Sequence, residues 1–177
     1  MRAPIHTKRL QLVPHTPDDV RAQIEGMTAD QRAQVSLDWL ARVQGAAPDD
    51  PWLPGFAIVQ RSTNIVVGTC GFKGPPGDDA AVEIAYGIAP EHQGHGYATE
   101  AAEALTAYAF NSGQVRVVRA HTIAETNAST RILIKCGFRS AGTVIDPEDG
   151  LVWRWEKDGD SGQFAKSSSA NGGQRHS

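Results

Sequence analysis

Cysteine is scarce in this 177-residue chain, which has only Cys70 and Cys136. The two stand far apart in the apolar runs VVGTCGF and LIKCGF, so they suit reduced core thiols and exclude a disulfide framework. There is no run of about 18 apolar residues, and the opening MRAPIHTKRLQL lacks the apolar centre of a signal peptide. The expectation is a cytoplasmic protein with no membrane partner. An excess of one charge is missing too: 17 Lys and Arg against 20 Asp and Glu leave a formal net charge of -3. That field would not gather a polyanion, so no nucleic acid is expected as a partner. The six histidines are scattered, and only His92 and His95 approach ligand spacing, with no third ligand nearby, so no metal is expected.

What is present reads as one domain over residues 1–156 with enough chain to bury a core. The alternating IHTKRLQLV predicts a strand at 5–13, and Thr16-Pro17-Asp18-Asp19 opens a helix to about Glu25. Thr28 and Gln31 open a second helix, with Val35, Trp39, Leu40 and Val43 on one face, ending near Gly45. Strands follow at 56–61, 65–73 and 81–88, then a helix to about Asn111 whose Ala98, Ala102, Leu105 and Ala109 share a face. A strand at 115–122, a helix from Asn127 to Cys136 stopped by Gly137, and strands at 141–145 and 151–156 complete the order. The result is an α/β (α+β) architecture, a mixed and mostly antiparallel sheet of about seven strands with helices on both faces. Residues 157–177 carry almost nothing core-forming and read as a disordered tail.

The chemistry concentrates in APEHQGHGYATEAAEAL, residues 89–105, where two glycines stand a residue apart between a strand and a helix. In that geometry the unpaired amides at a helix start converge on one spot, and glycines let an anion come close to them. The dinucleotide fingerprint fails because Thr99 holds its third glycine position, and the G-K-[ST] of a P-loop is absent. The Trp residues (Trp39, Trp52, Trp153, Trp155) read as packing. Asp78, Asp79, Asp146, Glu148 and Asp149 read as solvated loop charges.

Gln93-Gly94-His95-Gly96-Tyr97-Ala98 resembles the Q/R-x-x-G-x-G/A pyrophosphate loop of the GCN5-related N-acetyltransferase (GNAT) family. The strand VEIAYGIAPE, the helix TEAAEALTAYAF and the later ETNASTRILIKCGF extend the resemblance over residues 5–156. The opening T-x-R-L-x-L (Thr7, Arg9, Leu10, Leu12) brings it closest to the ribosomal-protein alanine acetyltransferases. The resemblance implies the GNAT fold and an N-acetyltransferase that uses acetyl-CoA as acyl donor, with Gln93, Gly94, His95, Gly96, Tyr97 and Ala98 around its pyrophosphate. His95 and Tyr97 would act mainly through their backbone amides. Ile88 would polarise the thioester carbonyl with its N–H, and Asn127 would be a further cofactor contact or a helix cap.

For catalysis the resemblance implies Glu83 as base, with substrate-ammonium binding, or a place facing solvent between strands, as its alternatives. The tyrosine that many members use as acid is replaced by Leu133, so Ser129 becomes the candidate acid, with Thr130 as the other register. The acceptor would be an amine, either a protein N-terminus or a small molecule, attacked directly in a ternary complex by a monomer or homodimer. A non-catalytic acyl-CoA sensor, or a transferase of a different acyl group, stays open beside it. The acceptor side would involve the Gly26-Met27 junction and the loop at 146–150.

Overall fold

The computed structural model describes residues 2–47, 50–147 and 149–159. Its strands are β1 (Ile5–His6), β2 (Leu10–Pro14), β3 (Phe56–Gln60), β4 (Ile65–Phe72), β5 (Ala81–Ile88), β6 (Val117–Ile123), β7 (Arg139–Asp146) and β8 (Gly150–Asp158). Its helices are α1 (Pro17–Glu25), α2 (Ala29–Ala33), α3 (Leu37–Gly45), α4 (Tyr97–Asn111) and α5 (Ala128–Lys135). Strand order is β1-β2-β3-β4-β5-β6-β8-β7, mixed and mostly antiparallel. The eighth strand, beyond the seven expected, is the two-residue β1, split from β2 where Thr7 turns the chain and its Oγ1 accepts from Leu10 N at 2.9 Å.

The chain forms two compact units: residues up to Pro75 with Ala85–Ala101, and Pro76–Ile84 with the chain from Ala102 onward. In the first, β2 to β4 form an antiparallel meander. Leu10 and Leu12 alternate with Gln11 and are fully buried with Phe56, Ile58 and Val67, as period-two patterning requires. Val20 of α1, Val43 of α3 and Leu53 make a second cluster, with Ile24, Trp39 and Leu40 packed on it. The single long helix expected from Thr28 to Gly45 is broken at Gln34–Ser36. Ser36 turns extended and its side chain accepts from Trp39 N at 3.2 Å, starting α3 afresh and leaving Val35 outside either helix.

In the second unit, β5 pairs with β6 in parallel, Ala81–Glu83 opposite Val117–Arg119, and β6 pairs antiparallel with β8. Val118 and Ala120 point inward with Val152 and Trp155, and Trp155 Nε1 donates to Thr122 Oγ1 at 3.1 Å. One expectation is extended here and another needs correcting. Asp79 is an exposed loop charge, and it also sits 2.9 Å from Arg119, whose other partner is Glu156 at 2.5 Å. The hydrogen bond from Arg119 holds the Asp79 carboxyl below its ordinary value. The tail does not begin at Lys157: Lys157 and Asp158 finish β8, and Lys157 Nζ donates to the Cys136 carbonyl at 2.8 Å at the end of α5. Residues 160–177 and Glu148 lie outside the described residues. Neither cysteine is in a disulfide; both are buried, and burial raises their thiols, to about 12 for Cys70 and about 11 for Cys136. Among the described residues no helix is long and apolar enough to cross a membrane.

Candidate active site

Four helices start on a side-chain cap: Thr16 for α1, Thr28 for α2, Ser36 for α3 and Asn127 for α5 each accept from a first-turn amide. The longest helix, α4, instead starts after Gly96, which has no side chain to offer. The positive end of its peptide dipoles therefore faces a glycine loop. Gly94 and Gly96 hold φ of +82° and +81°, the left-handed region that other residues enter at a cost of about 1–2 kcal/mol. Gln93, Gly94, His95 and Gly96 are exposed, while Ala98 is half-buried. An exposed loop with left-handed glycines, leading into a helix N-terminus, is an arrangement that can receive an anion.

The loop is braced from the start of the chain. Glu100 of α4 accepts from Arg9 N at 2.9 Å, from Arg9 Nε at 2.9 Å and from the Thr7 hydroxyl. Arg9 Nη1 also donates to the His95 carbonyl at 2.7 Å, and its guanidinium lies 4.9 Å over the Tyr97 ring. Tyr97 is buried and its hydroxyl accepts from Gln60 Nε2 at 2.7 Å. Its side chain thus anchors the loop, in addition to the amide that the sequence suggested. Gln93 Nε2 donates to the Ile88 carbonyl at 3.0 Å and ties the loop to the end of β5. Partial burial disfavours the charge on Glu100. The bonds from Thr7 and Arg9, with the Arg9 charge, outweigh it and hold the carboxyl below its ordinary value.

In the second unit Glu83 lies beside His121 of β6, Oε1 to Nδ1 at 3.0 Å. The approach is close but poorly aligned, and Nδ1 is buried without a hydrogen-bond partner among the described residues. On the far side of the ring Arg154 Nε donates to His121 Nε2 at 3.2 Å. A nitrogen that accepts carries no proton, so the neutral ring bears its proton on Nδ1, facing Glu83. Glu83 thus has a specific neighbour on the sheet, which suits a carboxylate that handles a proton.

At α5, the Asn127 side chain accepts from Thr130 N at 3.2 Å, and Thr130 Oγ1 accepts from Asn127 N at 3.0 Å. This reciprocal capping box occupies Thr130, which is buried, and leaves Ser129 half-buried outside it. Leu133, where many family members place a tyrosine, is fully buried. The helix ends at Gly137 (φ +86°), with Phe138 N donating to Leu133 O at 2.9 Å and Gly137 N to Ile134 O at 3.0 Å. No group of three or more His, Cys, Asp or Glu among the described residues could hold a metal ion.

The structure gathers Ile88 and Gln93–Ala98 around the α4 start, pairs Glu83 with His121, and sets Asn127 and Ser129 at the start of α5. Sequence reasoning missed the bracing role of Arg9, Thr7 and Glu100. It also missed His121, which shares a face with Glu83 only because Glu83 registers with Arg119, two residues earlier on β6.

The family model for the acetyltransferase (GNAT) domain matches residues 9–139. The chain belongs to the GNAT acetyltransferases. Among curated relatives in this family, the uncharacterized N-acetyltransferase p20 of Bacillus licheniformis is 32% identical over 93 residues, 52% of this chain and 52% of the relative. The chain thus spans about half the length of the curated relatives it matches. Solved GNAT structures with the same fold include a ribosomal L7/L12 α-N-protein acetyltransferase in complex with coenzyme A. It has a TM-score of 0.65 and 18% identity, covering 88% of this chain and 98% of the other. Another is the ribosomal-protein-S5-alanine acetyltransferase of Vibrio fischeri, with a TM-score of 0.66 and 14% identity, covering 90% and 98%.

Proposed function

We propose that this chain is an acetyl-CoA-dependent N-acetyltransferase, acting as one catalytic domain that extends through the end of β8 at Asp158, and that it passes the acetyl group directly to a primary amine. The observation that carries this reading is the α4 start, a helix N-terminus preceded by two left-handed glycines. A family member solved with coenzyme A supports the choice of anion. The residues fit such a cofactor: backbone amides of residues 94–98 would hold the pyrophosphate, and the Ile88 N–H would polarise the acyl carbonyl. The Asn127 Oδ1 serves the α5 cap, so its Nδ2 would be the group that reaches the cofactor.

Acetyl-CoA supplies the acyl group as a thioester. The chain's own residues then have three tasks. The backbone holds the carbonyl where an amine can approach, and positioning of this kind is worth on the order of 7–11 kcal/mol in well-aligned cases. Glu83 takes a proton from the amine as its nitrogen bonds the carbonyl carbon, and Ser129 gives its hydroxyl proton to the sulfur as the C–S bond breaks. Water carries the proton from Glu83 back to Ser129 before the next turnover. No covalent acyl-enzyme forms. The acceptor is a protein N-terminus or a small-molecule amine.

Replacing Glu83 by Gln tests the chemistry apart from the cradle. Turnover should fall by roughly 10²–10⁴ while acetyl-CoA affinity, measured by titration, stays within about twofold of the parent. Equal turnover in the variant would remove Glu83 from the base role. A parent that binds acetyl-CoA but acetylates no amine in a broad panel would instead be a sensor.

A further inference from the structure

The cradle's amides must point outward before an anion arrives, and the loop's own residues do not secure this. His95 and Gly96 share a planar peptide unit, and the only cis peptide bond among the described residues is Leu53–Pro54. In a trans unit the carbonyl and the following N–H point in opposite directions. Arg9 Nη1 holds the His95 carbonyl at 2.7 Å. By that one bond the Gly96 N–H is turned away from Arg9. With glycine on either side of His95, both at φ near +80°, few steric restraints would otherwise fix this unit.

We propose that Arg9 is the positioning residue of the pyrophosphate loop, aiming the Gly96 amide and cancelling the Glu100 carboxylate that α4 carries in its first turn. The inference rests on the cofactor reading above. An anion brought to this helix start meets a carboxylate one turn in, and the Arg9 pairing at 2.9 Å neutralises that repulsion. Arg9 is itself fixed at four points: its main-chain N–H and Nε on Glu100, Nη1 on His95 O, and its plane over Tyr97. A Cβ on Gly96 would stand 3.2 Å from Arg9 Nη2, so glycine at 96 and arginine at 9 also fit each other sterically. Lysine could satisfy one of these partners but lacks the planar fork that reaches both.

The test uses the full chain, titrated with acetyl-CoA and with S-acetylpantetheine, which carries the thioester but no pyrophosphate. Arg9→Lys and Arg9→Met should each weaken acetyl-CoA on the order of tenfold or more. S-acetylpantetheine binding and the unfolding midpoint of Arg9→Lys should stay near the parent's. Unchanged acetyl-CoA affinity in both variants would overturn the positioning role while leaving the cofactor reading intact. Equal losses for both ligands would also overturn it, because the effect would then be general rather than tied to the loop. A parent that does not bind acetyl-CoA would remove the cofactor reading itself, and this inference with it.

Discussion

Glu100 shows how a single residue is tuned by its partners. Burial would push its carboxyl up, yet the hydrogen bonds from Thr7 and Arg9 bring it below its ordinary 4.5. A depressed folded value means the carboxylate contributes stability above the ordinary value and loses it as pH falls through the folded one. The unfolding midpoint of Glu100→Gln should therefore lie below the parent's at pH 7, and the gap should close as the pH drops below about 4.5. A gap that persists undiminished in acid would contradict this. The Trp155–Thr122 hydrogen bond is a second residue-scale case, because both partners are buried. Trp155→Phe leaves the Thr122 hydroxyl without its donor and should cost about 1–3 kcal/mol in chemical denaturation. Adding Thr122→Val should cost less than the two single changes summed, because no orphaned polar atom then remains.

At the scale of elements, the helix starts divide by cap chemistry, and that division was legible in the sequence. Thr16, Thr28 and Asn127 each have a partner three residues on, and all three open helices with the capping box formed. The α4 start was legible for the converse reason, two glycines where a cap would stand. Ser36 was missed because the apolar face from Val35 to Val43 continues across the break, and periodicity does not register a capped restart. The Lys157 error has a similar cause: alternation fades at the end of β8, while the pairing of Val118 with Lys157 and Val117 with Asp158 carries the strand on. His121 and the Arg9 brace could not be read at all, since each depends on contacts between residues distant in the chain. An element-scale prediction follows for α5. Gly137→Ala must hold φ near +86° at the helix stop and should lose about 1 kcal/mol, read as a lower unfolding midpoint. An unchanged midpoint would mean the stop tolerates a side chain.

For the molecule as a whole, the family assignment and the fold agree with the sequence reading, and the functional proposal stands on one feature of the first unit. That unit holds the glycine loop at the α4 start and the Arg9 contacts that brace it, while the second holds the Glu83–His121 pair and the α5 cap. Strand β5 runs through both, carrying Glu83 in one and Ile88 in the other. The acceptor amine was not legible in the sequence. Candidate acceptor segments such as the Gly26-Met27 junction carry no charge pattern or motif that selects one amine over another.

The measurement that tests the central claim most directly is calorimetric titration of the full chain with acetyl-CoA, repeated on Gly96→Glu. That substitution puts a carboxylate and a side chain at φ +81°, in the mouth of the cradle. The account predicts saturable one-site binding by the parent and its loss in the variant. No binding by the parent, or equal binding by the variant, would contradict it.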